Sequence, residues 1–173
     1  EDPAYKDGKN AAKTIRDLKK MKSNKESFFL VAGFLKPPLP FNAPAKYWEM
    51  YDRNNIAPPV NNKFPATAYV GAGNWYELSK YKGIQKGYSD DPRLNAKTFT
   101  MDAEMTTNLI HGYYACVSYI DQQIGNVLQA LDDLGLSEDT IVIITSDHGF
   151  SLSDHNRWSK HNLFKVENHV PLF

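Results

Sequence analysis

Six consecutive strand-forming residues, Thr140-Ile141-Val142-Ile143-Ile144-Thr145, run directly into the polar pentapeptide Ser146-Asp147-His148-Gly149-Phe150. The run is β-branched throughout and does not alternate with polar residues, the pattern of a strand buried on both faces of a parallel sheet. Open α/β sheets bind their ligands beyond the carboxyl ends of such strands, and both a carboxylate and an imidazole coordinate divalent cations. Asp147-His148 therefore reads as half of a metal site, although short Asp-His pairs also serve as helix caps or hydrogen-bonded pairs.

The rest of the chain supplies the partners that such a strand needs. Asn10 to Met21 spaces Ala11, Ala12, Ile15 and Leu18 as one face of a helix. Ser27 to Gly33 is a second continuous apolar run and a second parallel-strand candidate. It ends in Lys36-Pro37-Pro38-Leu39-Pro40-Phe41, a stiff loop, because proline lacks a donor and biases its predecessor toward extended geometry. A short helix is expected over Ala45 to Tyr51, and breakers such as Pro58-Pro59 and Asp90-Asp91-Pro92 make 52–95 mostly irregular. The longest helix should span Asp102 to Leu134, with a stripe of Leu109, Tyr113, Cys116, Val117, Ile120, Ile124, Val127, Leu128, Leu131 and Leu134, and Gly135 as its stop. Cys116, Tyr113 and Tyr114 read as packing residues rather than reactive ones. Strand, helix and strand in this order predict an α/β fold, a mostly parallel sheet with helices on both faces, in one domain.

Composition narrows the function classes. Twenty basic residues balance twenty acidic ones and form no long basic run, so no nucleic-acid partner is expected. The longest apolar run, Phe28 to Leu35, is far shorter than the roughly 18 residues needed to cross a bilayer, and no membrane insertion is expected. The single cysteine, Cys116, excludes an internal disulfide and leaves the compartment unknown. The chain opens in Glu1-Asp2-Pro3 and closes in Val170-Pro171-Leu172-Phe173, which reads as the start of a buried strand, so an internal part of a longer protein is expected.

Beyond the Asp-His pair lies Ser151 to Asn162, a polar segment crowded with ionisable groups: Asp154, His155, Arg157, Lys160 and His161. A lysine held near a metal neutralises charge on a sulfate or phosphate oxygen, although a solvated lysine is the default.

Four blocks in order carry a resemblance: 28–37 with Pro40-Phe41, 113–125, Thr145-Ser146-Asp147-His148-Gly149, and His155, Trp158, Lys160-His161, Phe164 with Val170-Pro171-Leu172. Together they resemble the sulfatases of the alkaline-phosphatase-like superfamily, most closely the iduronate-2-sulfatase branch. The resemblance implies that residues 1–173 are an internal part of a single sulfatase catalytic domain, with the alkaline-phosphatase-like sheet incomplete in this chain. It implies Asp147 and His148 as calcium ligands, His148 alternatively touching the sulfate, and Lys160 and His148 as the catalytic pair. It further implies Lys36, Lys160 and His155 as substrate-binding residues toward a sulfated saccharide, in particular a 2-O-sulfated uronate. The nucleophile of such enzymes is a formylglycine made within Cys/Ser-x-Pro-x-Arg. Cys116 is followed by Val117-Ser118-Tyr119-Ile120 and does not match, so that group and the first metal ligands are expected upstream, and the chain alone is expected to be inactive. Pro38 stands where the family usually has a histidine, and Ser153 and Asn156 stand where glycines are common. The compartment implied is secreted, periplasmic or lysosomal. A phosphodiesterase or phosphatase of the same superfamily, or a noncatalytic sugar-binding or structural fragment, is the alternative.

Overall fold

The computed structural model describes residues 1–73, 75, 77–78 and 100–173. Its contacts divide into two compact units, one of residues 1–51 and 112–142, the other of 52–111 and 143–173.

In the first unit, helix α1 (Lys6–Asn24) is longer than its apolar spacing suggests and ends on Lys25 in the left-handed conformation. Its buried face is Asp7, Ala11, Thr14 and Leu18, four positions spaced at three and four residues. Asp7 is buried because its carboxylate accepts the backbone N–H groups of Leu35 (2.8 Å) and Lys36 (3.1 Å), which fixes the start of the proline loop on the helix. Gly8 is obligatory, since a Cβ there would lie 2.1 Å from the Asp2 carbonyl oxygen. Its N–H donates to the Tyr119 hydroxyl at 2.7 Å. Helix α2 (Ala45–Trp48) follows Pro44 and is shorter than expected.

Helix α3 (Ala103–Asp133) is the longest element, and Gly135 takes φ 62° just beyond it, as a helix stop should. Within 112–133 its buried side chains are Ala115, Cys116, Tyr119, Gln123 and Leu131. The expected stripe is therefore displaced: Val117 is 40% exposed, while Tyr119 and Gln123 take inward positions because Asp2 and the α1 backbone supply partners for their polar ends. Tyr113 packs edge-on against Phe41 (5.8 Å between centroids) and Tyr114 lies 5.5 Å from Tyr51, so both are packing residues.

The expected parallel sheet is not found among the described residues. Residues 26–36 and 140–144 have no strand partner within a sheet, and Phe29 is 91%, Val31 76%, Ile141 91% and Ile143 69% exposed. Continuous apolar runs become buried strands only when neighbours satisfy their backbone, and these two lack them. The second segment is fastened at its carboxyl end, where Ile144 and Phe173 exchange both backbone hydrogen bonds (3.0 Å each) beside an isolated Thr145–Leu172 bridge.

The sheet that does form lies in the second unit and is antiparallel: β1 (Ser151–Leu152) pairs with β2 (Trp158–Ser159), Ser151 opposite Ser159 and Leu152 opposite Trp158. Helix α4 (Lys165–Asn168) follows. Between these strands, at the end of β2 and just after it, five non-glycine residues have positive φ: Ser153 (79°), His155 (54°), Asn156 (54°), Ser159 (65°) and His161 (78°). Such geometry is uncommon outside glycine and persists where surrounding contacts enforce it.

Candidate functional site

Asp147 and His148 leave the fastened end of the 140–145 segment through a tight turn, closed by the Ser146 hydroxyl donating to the His148 carbonyl at 2.8 Å. The His148 Nδ1 lies 2.7 Å from the Gly149 carbonyl. A carbonyl only accepts, so Nδ1 carries the proton and Nε2 of the neutral ring keeps its lone pair. That Nε2 lies 3.8 Å from the Asp147 carboxylate. Asp147 is 88% exposed at its side chain and His148 27%, an acceptor-rich pair open to a ligand.

Gly149 fixes the next step. Its N–H donates to the Glu167 carbonyl (2.7 Å), and a Cβ would lie 2.1 Å from the Val166 carbonyl oxygen, so only glycine lets the turn lie on α4. Phe150 is then buried and β1 begins.

Lys160 follows β2. Its ammonium lies 3.3 Å from the Glu77 carboxylate, which His161 Nε2 also approaches at 3.6 Å, and both Lys160 and Glu77 are mostly buried. His155 is held by Asn61, whose side-chain amide donates to Nε2 at 3.2 Å and whose backbone carbonyl accepts the His155 backbone N–H at 2.6 Å. The four residues Asp147, His148, His155 and Lys160 all belong to the second unit.

Lys36 belongs to the first unit. Its ammonium donates to the Pro40 carbonyl and lies 3.5 Å from that of Pro38, bracing its own loop. Burial lowers its pKa, opposed by the nearby Cys116 and Asp7. Cys116 is fully buried, and burial pushes its thiol up to about 11 against the opposing charge of Lys36, consistent with packing rather than reactivity.

Among the described residues, no three His, Cys, Asp or Glu side chains gather as a metal centre. No helix among them is long and apolar enough to cross a membrane.

Sequence reasoning missed three groups: Glu77, Asn61 and the buried pair Arg157–Glu167, whose side chains are 7% and 2% exposed. Arg157 was visible only as one ionisable group in the crowded 151–162 segment, and nothing in the sequence paired it with Glu167. Glu77 and Asn61 lie far along the chain from the residues they hold.

The family model for the sulfatases, "Sulfatase", matches residues 3–173. The chain belongs to the sulfatase family. Mouse and human iduronate 2-sulfatases are each 34% identical to it over 170 residues, covering 96% of this chain. This sulfatase-family chain spans only 29% and 30% of their respective lengths. A multifunctional alkaline phosphatase superfamily protein of Trinickia caryophylli is 29% identical over 140 residues, covering 77% of this chain and 25% of that protein. Among solved structures, the phosphonate monoester hydrolase of Silicibacter pomeroyi superposes with a TM-score of 0.72 at 20% identity, covering 99% of this chain and 33% of its own. That likeness shows a shared fold.

Proposed function

We propose that residues 1–173 are an internal part of a single sulfatase catalytic domain, and that the full-length parent hydrolyses sulfate esters of saccharides. The observation that carries this reading is the open Asp147-His148 pair just beyond the Thr145–Leu172 bridge in a chain 34% identical to iduronate 2-sulfatases. On that identity we place the parent's substrate among 2-O-sulfated uronates.

Calcium takes six to eight oxygen ligands. The exposed Asp147 carboxylate fits as one of them, and His148 Nε2, with its lone pair free, is a further but less usual donor. Such an ion would supply fixed positive charge beside the transferring sulfuryl group. Lys160 would bind the sulfuryl oxygens, releasing Glu77 as it does so, while His155 orients the sugar. His148, with Nδ1 already donating, has only Nε2 available to accept a proton or, once protonated, to donate to a sulfate oxygen. Lys36, whose ammonium is engaged with the Pro38 and Pro40 carbonyls, would have to release them to offer its charge to a ligand. The chain contains no Cys/Ser-x-Pro-x-Arg, so it brings no formylglycine nucleophile of its own and is inactive alone.

The test is a panel of sulfated uronates, neutral sulfated sugars, aryl sulfates and phosphate diesters, assayed with the full-length parent and calcium. Sulfated uronates should be turned over preferentially. A preference for phosphate diesters would move the parent to phosphoryl transfer, the second reading, which the 29% identity to the Trinickia caryophylli protein keeps in the panel.

A further inference from the structure

A buried ion pair stands between the two stretches that carry the candidate site. Arg157, in the turn before β2, donates through Nη2 to the Glu167 carboxylate on α4, and through Nε to the Ala72 carbonyl at 3.2 Å. The face of its guanidinium lies 3.7 Å from the Phe164 ring centroid. The same Glu167 oxygen accepts the Ser151 hydroxyl at 2.6 Å, and the Glu167 backbone carbonyl accepts Gly149 N–H. One residue thus holds both the start of β1, just beyond Asp147-His148, and the strand-entry turn just ahead of Lys160.

The turn itself needs such holding. Ser153, His155, Asn156, Ser159 and His161 are left-handed without being glycine, a conformation that relaxes once its contacts are cut. The Arg157 carbonyl closes the turn by accepting Ser153 N–H at 2.8 Å, and Asn156 offers its carbonyl to the Trp75 indole at 3.0 Å. Burying two charges costs desolvation that apolar side chains of similar volume avoid, so stability alone is a weak reason for the pair.

We propose that Arg157 and Glu167 are positioning residues that clamp the left-handed 153–161 turn and thereby set where Lys160 and the Asp147-His148 pair stand in the site. The proposal rests on the sulfatase reading for its activity readout, but its geometric core does not.

Two variants of the full-length parent separate positioning from stability. Glu167→Gln keeps the shape and removes the charge. The double replacement Arg157→Met with Glu167→Met substitutes an apolar contact for the pair. Glu167→Gln should lower kcat/KM toward a sulfate ester by about 10- to 100-fold, the size seen when outer partners of a site are lost, and weaken inhibition by inorganic sulfate. The double variant should regain wild-type thermal stability while kcat/KM and sulfate inhibition stay impaired; full recovery of both would overturn the clamp. Amide hydrogen exchange gives the independent reading: Ser153, Asn156 and Arg157 should exchange faster in Glu167→Gln while α1 amides keep their protection. Unchanged exchange across the turn would sink the proposal whatever the parent hydrolyses. Absence of sulfate-ester turnover in the wild type would sink only the sulfatase reading.

Discussion

Asp2 shows how much a single side chain does in the first unit. Burial raises its pKa, but hydrogen bonds from Tyr47, Lys46 and Gln123 outweigh this and hold the carboxyl below its ordinary value. Asp7 works differently, presenting one buried carboxylate to the two backbone amides of Leu35 and Lys36. Hydrogen bonds to a charged group contribute about 1.5–3 kcal/mol each, so Asp7→Ala should cost at least about 3 kcal/mol in urea denaturation; a loss within about 0.5 kcal/mol, the size of an ordinary surface substitution, would contradict the anchoring role. Cys116 gives a pH signature. Its folded pKa, about 11, stands above the ordinary 9.0, so its contribution is complete below pH 9.0 and is lost as pH rises through about 11. Cys116→Ala should flatten that alkaline limb relative to wild type, measured as midpoint against pH. In the folded chain the thiol should resist iodoacetamide at pH 8 and react once urea is added.

At the scale of elements, two glycines of α3 make opposite predictions. A Cβ on Gly112 would lie 2.8 Å from Phe41 Cβ and 2.7 Å from the Trp48 ring, whereas one on Gly125 meets nothing within 4 Å. Gly125→Ala should therefore stabilise by about 0.5–1 kcal/mol through helix propensity, and Gly112→Ala should destabilise despite the same gain. Thermal melts of the two variants check it, and equal midpoints would refute the close packing of Phe41 on α3. The helices were readable in the residues because their signal is local: apolar spacing gave α1 and α3, and Gly135 gave the stop. The inward face of α3 was less so, since Tyr119 and Gln123 turn inward for polar partners that lie more than a hundred residues away. The segments 27–33 and 140–145 read as buried parallel strands and are not strands in the structure, because a sheet depends on neighbours that periodicity within one segment cannot supply. Asp147, His148 and Lys160 stand out as residue types in a polar loop; Glu77 and Glu167, which hold that loop, carry no pattern of their own.

For the molecule as a whole, the exposed apolar segments dominate its behaviour. Phe29, Val31, Ile141 and Ile143 present strand-forming side chains to solvent on segments that have no strand partner among the described residues, the composition of a surface that recruits other strands. The 173-residue chain should self-associate at micromolar concentration, and Ile141→Lys with Ile143→Lys should disperse it without loss of helical circular dichroism. The same pair placed in the full-length parent should prevent folding if those positions are buried there. A wild-type chain that sediments as a monomer would contradict the first statement, and a parent carrying both lysines that folds and melts like wild type would contradict the burial of those positions there. The tryptophans add an optical handle. Trp48 belongs to the first unit, whereas Trp75 and Trp158, 0% and 1% exposed, both belong to the second. Replacing Trp48 with phenylalanine leaves a chain whose tryptophan emission reports only on the second unit, while the far-ultraviolet signal still reports on α1. Two light signals from one sample then tell whether the units melt in a single transition or one after the other.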